Sequence, residues 1–148
     1  MLEIQGLDRQ LVTLFRDDPR VQRLRAIPGI GFFTAAALVA EIWDVHRFSS
    51  ADRLCSWAGL TPVERSSAGH IHRGHISKAG SRLVRWTMVE AAARAPRHAP
   101  HRQFFVRIMH DDLGRRHIAR IALARRLLTL SYYALRDEGG CRAFPVTK

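Results

Sequence analysis

Between Arg65 and Val89 the chain has no acidic residue at all, and over its 148 residues 24 Lys and Arg face only 13 Asp and Glu. The formal net charge of +11 excludes cationic partners and makes a polyanion the natural one, nucleic acid before an anionic membrane. The acidic residues are also scattered, so no cluster of the kind that holds catalytic metal ions stands out. Asp111 and Asp112 lie together near a helix end, but adjacent helical residues point in different directions. Cysteine is scarce: Cys55 and Cys141 are far apart and form no CxxC pair, which argues against a disulfide framework and for a reducing interior. No apolar run reaches membrane-spanning length, and the start, MLEIQGLDRQ, lacks the basic-then-apolar pattern of a signal peptide. A cytoplasmic protein with no membrane partner is expected.

What the chain does have is helical periodicity. Leu7, Leu11 and Leu14 recur at helical spacing among charges, about two heptads and too short for a coiled coil by itself. Residues 1–18 therefore read as a linking helix, and 19–148 as one compact domain. Asp18-Pro19 opens a second helix carrying Val21 and Leu24. Ile27-Pro28-Gly29-Ile30-Gly31 and the Ala-rich stretch to Ile42 give a helix-hairpin-helix pattern over 20–43. In that reading Gly29 and Gly31 bring backbone amides and a helix N-terminus to a phosphate; otherwise the turn only connects two helices.

Asp44 to Phe48 reads as a loop. Ser49 with Asp52 resembles a capping box, opening a helix that carries Leu54, Trp57 and Ala58 and stops at Gly59. A long helix runs from Ser77 or Ser81 to Arg94 with Leu83, Trp86 and Val89 at apolar spacing, and Pro96 ends it. Another spans 100–109 with Phe104, Phe105 and Ile108. The last covers 115–136, with Ile118, Ile121, Leu128, Tyr132 and Leu135 facing inward and five arginines along it. No alternating β-branched run competes, so the fold class is all-α.

The densest chemistry lies in Pro62–Gly80, PVERSSAGHIHRGHISKAG. Ser66 and Ser67 lead into glycines and into Ser77-Lys78, with Arg65, Arg73, Lys78, Arg82 and Arg85 supplying positive charge. Such a stretch is a solvated loop with turn-capping hydroxyls, or a phosphate-binding surface that glycines bring close to its ligand. A serine among these cations has the electrostatic part of a nucleophile's environment, and His70 or His72 stands within reach as a base. His70, His72 and His75 form an HxHxxH cluster; without an apparent fourth ligand, phosphate or base contact suits it better than a metal.

IPGIG before an Ala-rich helix, then RFSSADRLCSWAGLTPVERSSAG and GHISKAGSRLVRW, closely resemble one family. It is the C-terminal transposase domain of insertion-sequence transposases that pair it with an N-terminal RuvC-like domain of DEDD type. The likeness is ungapped from Phe48 to Arg85 and looser to Ala124–Leu128. It implies a recombinase guided by a structured RNA, in which a serine at the position of Ser66, with Ser67 as runner-up, attacks a DNA phosphodiester. Nucleic-acid contacts are expected, from the hairpin glycines and the basic stretch, at Gly29, Gly31, Arg65, Arg73, Ser77, Lys78, Arg82 and Arg85. No cofactor is expected in this chain; Mg²⁺ belongs to the RuvC-like half, which this sequence lacks. DNA, guide RNA, that half and further copies of the recombinase are the implied partners. Ala68 stands where the family usually has the first of two glycines. The reading from a different class is a non-catalytic helix-hairpin-helix DNA-binding module, or an inactive transposase remnant.

Overall fold

The computed structural model describes residues 10–67, 70–110 and 112–137, with 64–67 and 70–73 described as backbone only. Residues 10–15 form α1; Leu7, on which the linking-helix reading also rests, lies outside the described residues. Then follow α2 (Pro19–Arg25), α3 (Phe32–Ile42), α4 (Ala51–Trp57), a hairpin of β1 (Pro62–Ser67) and β2 (His70–Ile76), α5 (Arg82–Arg94), α6 (Ala99–Met109) and α7 (Arg116–Arg136). The body is all-α, and the two-stranded hairpin projects from it.

The caps explain where the helices begin. Asp18 accepts from the Arg20 amide at 2.8 Å with Pro19 in the first turn, an N-cap with a pre-set φ behind it. Ser81 caps α5 by accepting from the Val84 amide at 3.2 Å. In α4 the cap is Ser50, which accepts from the Arg53 amide, one residue past the expected Ser49. At its far end the Gly59 and Leu60 amides return to the Ser56 and Cys55 carbonyls, both at 3.0 Å, with Gly59 at φ 70°. That is a Schellman ending, and it needs the left-handed residue glycine supplies.

Helix α7 is the spine, packed by α2, α4, α5 and α6. It buries Leu123, Leu127, Leu128, Tyr132 and Leu135, and the Tyr132 hydroxyl donates to the Phe48 carbonyl at 3.1 Å. Ile121 is half-buried. Ile118, expected to face inward, is 57% exposed, because α7 there passes under the hairpin rather than under another helix. Helix α5 is turned from its expected face as well. It buries Val84, Thr87, Met88, Ala91 and Ala92, leaving Leu83 44% and Trp86 61% exposed. Small residues let α5 approach the Ala-rich α3 closely, and its bulkier apolar stripe is left on the surface.

The α2–α3 turn is fixed by packing. Gly29 has φ 93°, and a Cβ there would come within 2.8 Å of the Ala95 Cβ. Ile27 and Ile30 on either side are buried. His101 on α6 is buried, and its pKa is lowered, chiefly by desolvation, against a hydrogen bond to the Pro28 backbone that raises it. The neighbouring Arg126 and His98 charges also lower it. A histidine whose folded pKa is depressed protonates first in the unfolded chain. Its contribution is intact above the ordinary value of about 6.5 and is lost as pH falls through the folded value. The urea midpoint is therefore expected to be lower at pH 5 than at pH 7, and the His101→Leu variant to show a shallower decline over that range.

Candidate functional site

The stretch expected to be a surface loop is a hairpin and a tight turn. β1 and β2 are antiparallel, with Glu64 opposite Arg73, Arg65 opposite His72, Ser66 opposite Ile71 and Ser67 opposite His70, and a register shift between Pro62 and Glu64. Directly paired residues share a face of such a ribbon, and successive residues alternate. Ser66 therefore groups with Glu64, Ile71 and Arg73, and Ser67 with Arg65, His70 and His72. The histidines offered by the sequence as bases fall in the Ser67 set. Ala68 and Gly69, between the strands, lie outside the described residues.

At the base of the hairpin the chain makes the turn Ser77–Gly80, held from three sides. The Ser77 amide donates to the Thr61 carbonyl at 2.9 Å and the Lys78 amide to the Gly59 carbonyl at 3.2 Å. Arg85 Nη1 donates to the carbonyls of Ala58 at 3.1 Å and Ala79 at 3.0 Å, so this expected ligand of nucleic acid also clamps the turn. Gly80 has φ 69°, and a Cβ there would overlap the Trp57 carbonyl. Lys78 is left-handed at φ 54°, an uncommon conformation for a residue with a side chain, and it is exposed beside exposed Ser77 and Arg82. The turn is rigid and presents its cation outward.

Gly31 takes φ −85° as N-cap of α3, so of the two turn glycines only Gly29 is left-handed. No side chain caps α3 and no acid sits in its first turn. A Cβ on Gly31 would meet nothing within 4 Å, which leaves the approach to the α3 N-terminus open.

Two features were not foreseen. Asp44 caps a short 3-10 turn, Val45–Arg47, by accepting from the His46 amide. Arg47 at its end lies over the rings of Phe48 and Trp57, at 4.6 and 4.9 Å from the centroids. The backbone of Trp57 touches Gly80, so this stacked cation adjoins the Ser77–Gly80 turn. No motif announces it, because the stack joins a loop to a helix ten residues away. The second is a cleft of about 510 Å³ under the hairpin, lined by Leu60, Ile76, Ile118 and Ile121 with His75, His117 and Arg125 at its polar parts. Among the described residues no group of His, Cys, Asp or Glu is arranged to hold a metal. Asp111 and Cys141 lie outside them; Cys55 is buried, where desolvation raises its thiol pKa.

The model of the Transposase IS116/IS110/IS902 family matches residues 21–107, from α2 through the hairpin and the Ser77–Gly80 turn to α6. The chain belongs to this transposase family. Its curated relatives include a probable family 20 transposase of Pseudomonas aeruginosa, 36% identical over 60% of this chain and 26% of that protein. The insertion element IS116 uncharacterized 44.8 kDa protein of Streptomyces clavuligerus is 32% identical over 91% of this chain and 34% of its own length. The pilin gene-inverting protein of Moraxella bovis is 33% identical over 91% of this chain and 44% of that protein. The chain thus spans between a quarter and under half of these relatives. Among the described residues, no helix is long and apolar enough to cross a membrane.

Proposed function

We propose that this chain is the nucleic-acid-binding C-terminal domain of a DNA transposase, and that it supplies Ser66 as nucleophile for strand cleavage and exchange. The observation that carries the binding part is the rigid turn exposing Ser77, Lys78 and Arg82 within a stretch that has no carboxylate from Arg65 to Val89. Phosphates meet cations there without like-charge repulsion. Arg65 on β1 and Arg73 on β2 add two further cations, one to each group of the hairpin register. Gly29 and the open α3 N-terminus at Gly31 form a second, helix-hairpin-helix contact with the backbone.

The nucleophile's assignment rests on the family resemblance; Ser66 lies on β1 opposite Ile71. In the reaction Ser66 Oγ bonds to phosphorus and its proton leaves to a base. The P–O3′ bond breaks, and the departing oxygen takes a proton to become a 3′-hydroxyl. The product is a 5′-phosphoserine link that a second strand's hydroxyl reverses. The described residues do not fit a metal centre, so Mg²⁺, and the Lewis acidity it supplies, belongs to a RuvC-like partner domain or chain. A structured guide RNA and further copies complete the active recombinase, in the bacterial cytoplasm at the nucleoid.

Binding is tested by titrating the chain against duplex DNA at several salt concentrations. With about six phosphates contacted, log K is expected to fall with log salt at a slope near −5. A curve indifferent to salt would overturn the reading.

A further inference from the structure

Trp43 follows α3 in a conformation that demands a reason. Its φ is 58° and ψ −70°, and the Asp44 amide donates back to the Ile42 carbonyl at 2.7 Å. This is a γ-turn of the rare, strained, positive-φ kind, and on a bulky residue it is a true outlier. The side chain gains no burial in exchange: Trp43 is 79% exposed. Arg20, anchored on Asp18 through Nη2 at 2.8 Å, donates from Nη1 to the Trp43 carbonyl at 3.2 Å and holds the turn in place. Strain kept at an exposed aromatic points to a binding role rather than a folding one.

The surroundings favour an anion. Behind Trp43 lies a cleft of about 270 Å³ lined by Arg20, Arg23, Ile42, Asp44 and His46. Asp18 is paired with Arg20; Asp44 accepts from the His46 amide and keeps its charge, one carboxylate in the lining against the two guanidinium groups of Arg20 and Arg23. Among the described residues Arg23 donates to the Asp137 carbonyl, at 3.5 Å, and its Nε has no hydrogen-bond partner. The cleft also continues the surface described above. Ser81, next to Gly80, donates to Glu41 at 2.7 Å just before the Trp43 turn, and the stacked Arg47 follows His46 in the chain. Trp43, His46 and Arg47 thus follow closely in the chain and adjoin the Lys78 turn, with the carboxylates of Glu41 and Asp44 among them.

We propose that Trp43 is a stacking platform for an unpaired base of a single-stranded nucleic acid, with Arg23 and His46 at the adjoining phosphate. This rests on the reading that the chain binds nucleic acid and adds where a displaced strand or RNA runs. Exposed aromatics beside a cationic groove are how such strands are held irrespective of sequence. A protein partner would find Trp43 equally apolar but would have to bury the Arg23 guanidinium beside it.

The test uses the 148-residue chain and two probes, a labelled oligothymidylate and a mixed-sequence duplex. Trp43→Ala is expected to weaken oligothymidylate binding about tenfold with an unchanged salt slope, since stacking releases no counterions. Duplex affinity should hold, and Trp43→Phe should retain most single-strand affinity. Trp43→Gly should weaken single-strand binding just as much while leaving the melting midpoint unchanged or higher, because glycine accepts the turn; a purely structural tryptophan would lower it. Arg23→Gln should reduce the slope by about one. If Trp43→Ala binds oligothymidylate like the parent, or loses duplex affinity equally, the proposal is overturned and Trp43 faces a protein. If the parent binds neither probe, it falls together with the nucleic-acid reading.

Discussion

Ser66→Ala is expected to abolish strand exchange, by about 10⁴-fold or more, while leaving folding and nucleic-acid affinity close to the parent. A single small hydroxyl contributes little to either, whereas no neighbour replaces a nucleophile whose oxygen becomes bonded to phosphorus. The measurement is a recombination assay with the RuvC-like half and guide RNA supplied in trans or by fusion, begun from an active parent. Ser67→Ala should keep measurable activity, since strand alternation sets Ser66 and Ser67 in different groups. The opposite pattern would move the role to Ser67, where His70 and His72 share the register group. Persistence in the double variant would leave a DNA-binding module without serine chemistry.

The second large effect is on stability. Gly80→Ala is expected to cost about 3 kcal/mol. Of this, about 1–2 comes from forcing a side chain into the left-handed region, and the rest from pushing its Cβ off the Trp57 carbonyl. Gly80 sits where α4, the hairpin base and α5 meet, so the turn presenting Lys78 shifts with it. Gly31→Ala is the control: its φ is −85° and its Cβ enters open space, so the change stays within about 0.5–1 kcal/mol. Urea midpoints of the two variants decide the matter. Equal midpoints would mean that the Ser77–Gly80 turn relaxes freely and is not a rigid platform.

The helical body was legible because its signals are local. Asp18-Pro19, Ser81 and Gly59 act through their own hydroxyls, carboxylates or backbone angles, and each is found at or next to a helix end. The hairpin was not legible. Its strands, PVERSS and HIHRGHI, are polar on both faces, so a period of two has no apolar side to reveal, and no two-residue Asn-Gly type turn joins them. The face of α5 was misread because it carries two apolar stripes. Leu83 and Trp86 outweigh Val84, Met88 and Ala91 by size, yet the smaller set permits the closer approach to α3. The Arg47 stack and the Trp43 turn are products of tertiary packing, without spacing to betray them. Within the candidate site, the cations and hydroxyls were readable from composition. The choice of Ser66 was not; it came from resemblance, and the register adds only which neighbours each serine has.

The central claim is that phosphates are held at the turn carrying Lys78 and at the start of α5. It is tested most directly by the salt slope of duplex binding in two double variants. Lys78→Gln/Arg82→Gln removes two exposed cations at the turn, and Arg97→Gln/Arg102→Gln removes two beyond the other end of α5, roughly 20 Å along the helix. The first pair is expected to reduce the slope by about two and to weaken binding, with the second near the parent. An unchanged slope in the first pair, or an equal loss in both, would contradict the account, because the charge would then act as a diffuse field and not through this site.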